Sequence, residues 1–299
     1  MERSLAHPAQ THSTEPEPSR TDRMEALRRL YARQIAALAG IDAGTALGSG
    51  IVAALATIPR EKFVAPPPWR IVSPRGRAVS SEDDPAALYQ DILAPLGVGQ
   101  GLNNGQPSLH ALCFQVLAPR TGESVVHVGA GTGYYTAMLA MLVGETGRVD
   151  AYEIEPELAQ RAAANLAGFP QVAVHNRSGA LAPLPDCDLL YVNAAAVEPL
   201  AVWLDALRPQ GRLLFPLQSP GDIGGLLLVT RSAEVSYPAR FLCGVQFVSC
   251  SGAQDAQAAR ALEAAFARGN WAQVRRLVRN DQPDENCWCA GRGWWLSTR

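Results

Sequence analysis

An α/β fold, doubly wound around a mostly parallel sheet, is what this sequence predicts, and three observations carry the prediction. From Thr121 onward, short runs of Val, Leu and Ile alternate with segments whose apolar residues recur at helical spacing, the texture of parallel strands joined by crossover helices. A glycine-rich turn, Gly129-Ala130-Gly131-Thr132-Gly133, stands between the first such strand and the helix after it. An acidic residue, Glu153, closes the next strand. The 299 residues suffice for one main domain with extensions.

The elements follow in order. Residues 1–23 are rich in Pro, Ser, Thr and charge and have almost nothing to bury, so a disordered tail is expected. The region 24–120 opens with MEALRRLYARQIAALAG, which spaces Leu27, Leu30, Tyr31, Ile35 and Leu38 at helical intervals before Gly40. A second helix is expected from Gly50 to Pro59, followed by a loop in APPPWRIVSPRGRAVSSEDDP, where three prolines remove backbone donors. In the core, 121–250, the segments SVVHVG, RVDAYEI, VAVHNR and DLLYVNA read as strands, and YYTAMLAML, PELAQRAAANLAG and PLAVWLDAL as helices. GRLLFPL, GGLLLVTR and ARFLCGVQFV form a strand cluster in which antiparallel hairpins are expected. The C-terminal α/β extension, 251–299, should hold two short helices over 255–279, then CWCAGRGWWLS as an edge strand or a cover over a groove.

Composition excludes several classes. A formal net charge of -2 offers no footprint for a nucleic-acid backbone. No apolar run approaches the roughly 18 residues of a membrane span, and the N-terminus has no apolar stretch of signal-peptide length. Six scattered cysteines suit a reducing cytoplasm. Cys287 and Cys289 flank Trp288 with no second pair or nearby histidine, so no metal site is expected, and Trp294 and Trp295 read as core.

The chemistry is carried by the glycine turn. Glycines there let the backbone approach a ligand, and the helix N-terminus offers free amide donors, so an adenosine-type cofactor is expected on Gly129, Ala130, Gly131 and Gly133. Glu153 can accept hydrogen bonds from both ribose hydroxyls. A nicotinamide dinucleotide fits less well, because Tyr134 stands where its fingerprint needs a third glycine. The order of helix, turn and strand in ALRPQGRLLFPL suits a methyltransferase.

From about Met24 to Val248 the chain resembles the protein-L-isoaspartate O-methyltransferases. ALATIPREKFV, GVGQGLNNGQP, the glycine turn, YEIEPELAQRAAANL, LLYVNAAA, RPQGRLLFPL and RFLCGVQFV stand in that family's order. The resemblance implies a Rossmann-like class I methyltransferase that uses S-adenosyl-L-methionine to methylate the isoaspartyl carboxylate of a damaged protein or peptide, an ester that then collapses to a succinimide. It places Ser178 and Gly179 near the adenine, where the family has Asp-Gly, and His127 where the family has an acidic residue. In the substrate loop, Gly99 to Pro107, the family's Ser is replaced by Gly105 and two residues are added. Asn103, Asn104 and Gln106 are the candidates to donate hydrogen bonds to a carboxylate, with Ser108 beside them, and His110, at the start of the next helix, reads as a helix-surface histidine in preference to one that faces the site. Two other readings stay open: methylation of another peptide or small-molecule carboxylate, and a non-catalytic relative that only binds the cofactor.

Overall fold

The computed structural model describes residues 19–73, 76–79, 84–98, 101–220, 224–232 and 235–299. The expected tail up to Pro18 and the loop residues Gly99 and Gln100 lie outside them. Helix α1 (Arg20–Leu38) begins inside the segment that composition assigns to the tail, because Ser19 and Asp22 form a reciprocal capping box. Its buried stripe, Tyr31, Ala32, Ile35 and Ala36, meets Ile51, Ala54 and Leu55 of α2 (Ala46–Thr57), which is capped by Thr45. A 3-10 turn, Arg60–Phe63, follows. Part of the expected loop is an antiparallel ribbon of β1 (Arg70–Ser73) and β2 (Gly76–Val79). The three prolines stop just ahead of it, at Pro68, and leave its ladder intact.

After α3 (Pro107–Leu117) the chain alternates β3 (Ser124–Val128), α4 (Tyr134–Val143), β4 (Arg148–Glu153), α5 (Pro156–Asn165), β5 (Val172–Asn176), β6 (Cys187–Val192), α6 (Ala201–Ala206) and β7 (Leu207–Leu217). Then come β8 (Gly224–Thr230), β9 (Ser236–Val245), α7 (Ala256–Arg268), β10 (Arg276–Arg279), β11 (Cys287–Gly291) and β12 (Trp294–Ser297). Ten strands form one sheet in the order β11-β12-β10-β9-β8-β7-β6-β3-β4-β5. The pairs from β5 through β7 are parallel, and the pairs from β7 through β11 are antiparallel. The strand order reverses between β3 and β6, which opens a crevice beyond their C-terminal ends.

Alternate side chains feed two cores. Val126, Leu190 and Leu213 pack with Trp203, Leu262, Trp294 and Leu296 on one face, and Val125, Leu189 and Leu214 pack with Ile35, Phe114 and Met138 on the other. The turn expected at Pro209–Gly211 is a kink within β7: pairing to β6 jumps from Leu207 to Arg212, and Gln210 takes φ 65°. Where two helices were expected over 255–279, α7 forms and the second is only a single 3-10 turn, Trp271–Gln273. Gly269 and Asn270 end α7 with positive φ, and Leu277 and Val278 pair with the open edge of β9. The aromatic segment at 287–297 is a hairpin that pairs through β12 with the outer edge of β10, with Trp294 and Trp295 buried.

Candidate active site

The crevice is a cavity of about 1070 Å³ that runs from the glycine turn to the loop ahead of α3, large enough for a nucleoside-sized cofactor and part of a second reactant. At one end, the amides of Gly129 and Ala130 both donate to the Tyr152 carbonyl, at 2.9 and 3.1 Å, which folds the turn back over β4. Gly129, Gly131 and Gly133 take φ of 75°, 57° and 95°, so side chains here would be strained, and a Cβ on Gly131 would also crowd Leu96 Cδ1 at 3.2 Å. Glu153, 7% exposed, accepts from the amide of Gly131 at 2.7 Å and from that of Glu155 at 3.0 Å. Burial pushes its carboxyl pKa up while those amides pull it down. Two such donors leave the carboxylate further lone pairs for a ligand.

Ser178 and Gly179 line the same end. The Ser178 hydroxyl donates to the Ser251 carbonyl at 2.9 Å and accepts from the Ala180 amide, and the Gly179 carbonyl accepts from Trp203 Nε1. Ser178 therefore ties the cavity wall to the segment after β9, and its hydroxyl keeps only acceptor capacity for an amino group. Tyr152, also in the lining, is sandwiched by contacts with His175 and with the Arg177 guanidinium, 4.8 Å from its ring centre.

At the other end, the three loop candidates separate by their hydrogen bonds. Asn103 is consumed locally: its side chain accepts from the Gly105 amide and donates to the Gly101 carbonyl. Gln106 donates to Asp91 at 2.8 Å and to Ser108, and Asp91 also takes the amide and hydroxyl of Ser108, capping α3. Asn104 is the one of the three whose amide nitrogen makes no hydrogen bond at all among the described residues. Its Oδ1 accepts from Arg60 at 2.9 Å, while its Nδ2 is buried with no partner among the described residues. Arg60 is fully buried and spends its guanidinium on the carbonyls of Leu88, Gln90 and Ile92 as well, so it orients Asn104 and clamps the loop.

Two histidines complete the site. His127 is buried between Thr136 Oγ1, 2.9 Å from Nδ1, and Asn193 Nδ2, 2.8 Å from Nε2. Burial drives its pKa down to about 3, so it is neutral at physiological pH. Asn193 lines the cavity, and its Oδ1 is buried without a partner among the described residues. Sequence reasoning missed Asn193, although its place just past the fourth strand of the core, in VNAAA, points to the crevice. His110 is not a helix-surface residue: it is 2% exposed, stacked 3.6 Å from the Tyr135 ring and bonded through Nδ1 to the Tyr191 hydroxyl at 2.7 Å. It faces inward because α3 packs against α1, α2 and β7, which brings the ring of its first turn onto Tyr135 of α4 and Tyr191 of β6. Among the described residues no group of three His, Cys, Asp or Glu side chains could hold a metal ion.

A reversed parallel sheet, a glycine turn and an acidic residue ending the second strand of the core define a class I S-adenosylmethionine-dependent methyltransferase. Residues 39–255 match the sequence profile of the Protein-L-isoaspartate(D-aspartate) O-methyltransferase (PCMT) family, and the chain belongs to that family. It is 33% identical over 236 residues to protein-L-isoaspartate O-methyltransferase 2 of Anaeromyxobacter, covering 76% of this chain and 81% of the relative. Against the Aeropyrum pernix protein-L-isoaspartate O-methyltransferase it is 33% identical over 189 residues, 62% of this chain and 65% of that protein's length. Among solved structures, a protein-L-isoaspartate O-methyltransferase superposes with a TM-score of 0.61 at 19% identity, covering 86% of this chain and 73% of the other. A Plasmodium falciparum protein assigned to the same family, solved with S-adenosyl-L-homocysteine, gives 0.58 at 18% identity over 75% and 98%.

Proposed function

We propose that the protein transfers a methyl group from S-adenosyl-L-methionine to the side-chain or main-chain carboxylate of an isoaspartyl residue in a damaged protein or peptide. The observation that carries this reading is the polarity of this long cavity. Backbone donors and Glu153 stand at its inner end, and the side chains of the loop end, Asn104, Gln106, Ser108 and His110, are uncharged. The residues present fit the cofactor. A side chain at Gly131 would be strained and would crowd Leu96, and the Glu153 carboxylate, held by two backbone amides, keeps lone pairs that two ribose hydroxyls can use. Gly129, Ala130 and Gly133 complete that cradle, with Ser178 and Gly179 toward the base.

When bound, the cofactor supplies a methyl group already activated by its sulfonium. An isoaspartyl carboxylate is ionised at neutral pH and needs no base to become a nucleophile. The protein's work is to orient the reactants in line and to exclude water. Asn104, held by Arg60, donates through Nδ2 to one carboxylate oxygen and leaves the other free to attack. Asn103 and Gln106 serve by shaping the loop. The region 24–120 supplies this loop and 121–250 the cofactor core.

Six cysteines, all as free thiols, support a reducing, cytoplasmic setting. No helix among the described residues is long and apolar enough to cross a membrane, and the net charge of -2 supports a protein partner rather than a nucleic acid. The test is repair itself: an isoaspartyl peptide incubated with the protein and S-adenosyl-L-methionine should yield its normal aspartyl isomer on chromatography over successive rounds. No conversion, with cofactor binding intact, would point to a different carboxylate or to a protein that binds without turnover.

A further inference from the structure

Six large apolar side chains stand exposed among the described residues, and three of them, Leu38, Ile154 and Val248, line the cavity. One such side chain in water needs no explanation, but a cluster around an opening marks a surface that another molecule covers. Leu38, 58% exposed, ends α1, which packs on α2 and α3. Val248, 42% exposed, follows Phe247, whose ring lies 6.5 Å from that of His110 in the first turn of α3. Both stand at the loop end, where Leu102 also lines the wall. Their backbone is anchored: the Val248 carbonyl accepts from the Ala195 amide at 2.7 Å, and the Gln218 side chain holds both backbone groups of Phe247. The charges lie elsewhere. Among the described residues the lining holds three charged side chains, Glu153, Glu155 and Arg177. Glu155 donates its amide to Glu153, and Arg177 lies over Tyr152, so all three belong to the cofactor end.

We infer that this apolar mouth, with Leu38 and Val248 at its rim, seats the residues on either side of the isoaspartyl in the substrate chain and selects apolar neighbours over charged ones. The inference rests on the isoaspartyl reading above. A cavity of about 1070 Å³ is of the size that encloses a drug-sized ligand. The cofactor and the isoaspartyl side chain fill it, and the polypeptide to either side leaves through the mouth. There its side chains meet Leu38 and Val248. An apolar neighbour covers them and takes both surfaces out of water. A charged neighbour gives up part of its hydration and finds no opposite charge in the wall to replace it. Lys and Glu are therefore disfavoured alike, whereas a basic or an acidic mouth would favour one of them. Apolar sequence is what a folded protein buries, so such a mouth directs repair to damage in chains that have opened.

Three isoaspartyl peptides, identical except for Val, Lys or Glu on both sides of the isoaspartyl, test this with the full-length protein. The Val peptide should exceed each charged one by about three- to tenfold in kcat/KM, the worth of partly covering two apolar side chains. The difference should lie in KM, because these contacts are the same before and during transfer. A second measurement uses Leu38→Arg, a change at an exposed position that the fold tolerates. In that variant the Glu peptide should overtake the Lys peptide by about two- to fivefold, the effect of one exposed charge. Its affinity for S-adenosyl-L-homocysteine should match that of the wild type, which checks that the fold is intact. Equal kcat/KM for the three peptides in the wild type, or an unchanged ranking in Leu38→Arg, would overturn the inference alone. A wild type inactive on all three would overturn the isoaspartyl reading and this inference with it.

Discussion

At the level of single residues, Glu153 and His127 make separate predictions. Glu153→Ala should weaken S-adenosyl-L-homocysteine binding by about 1.5–3 kcal/mol, the cost of charged hydrogen bonds, read by titration calorimetry. An unchanged affinity would mean that the ribose is held elsewhere. His127 predicts an acid limb in stability. Burial holds it near 3 in the folded protein, against about 6.5 in an unfolded chain. Between those values the unfolded chain binds more protons, so stability is complete above about pH 6.5 and declines as the pH falls toward 3. His110, also depressed by burial, adds in the same direction. Melting temperatures across this range should fall less steeply for His127→Gln than for the wild type. The glycine turn and Glu153, which the structure brings to one end of the cavity, were legible in the sequence because a glycine turn and a strand-terminal acid are local patterns. The loop was not. Asn103, Asn104 and Gln106 are equivalent as polar residues in a row, and only the positions of Asp91, 15 residues from Gln106, and Arg60, 44 residues from Asn104, decide which amide nitrogen stays unpaired.

Among the elements, the segment from Arg60 to α3 is organised by one buried guanidinium. Arg60→Met would leave the carbonyls of Leu88, Gln90 and Ile92 and the Asn104 side chain without their donor. A loss of about 3 kcal/mol or more is expected in urea unfolding, together with activity, since unpaired buried acceptors keep their desolvation cost. A variant as stable as the wild type would show that the loop does not depend on this clamp. The helices and strands of the core could be read in order, since their apolar spacing is intrinsic to each segment. β10 could not: LVR alone is too short to declare itself, and it becomes a strand because β9 offers an unpaired edge. The start of α1 was missed for a related reason, as a Ser-x-x-Asp cap within a polar stretch outweighs the composition around it.

Across the whole molecule, the C-terminal extension is continuous with the main sheet and closes one core. Leu262, Ala265, Leu277, Trp288, Trp294 and Leu296 all pack against residues of the central strands, and Ser251 anchors Ser178 at the cavity wall. Removing residues 251–299 should therefore bare the β9 edge and a broad apolar face, giving aggregated protein on size-exclusion chromatography. A soluble, active truncation would show the extension to be an independent addition. The same continuity places the cofactor turn, the substrate loop and the closing segment around a single cavity, which is why one long site can align two reactants.

The most direct measurement is methyl transfer from labelled S-adenosyl-L-methionine to an isoaspartyl peptide, run beside its normal aspartyl twin. The structure predicts label in the isoaspartyl peptide alone, released by mild base as expected of an ester. Label in neither peptide, or equally in both, would contradict isoaspartyl recognition by this site.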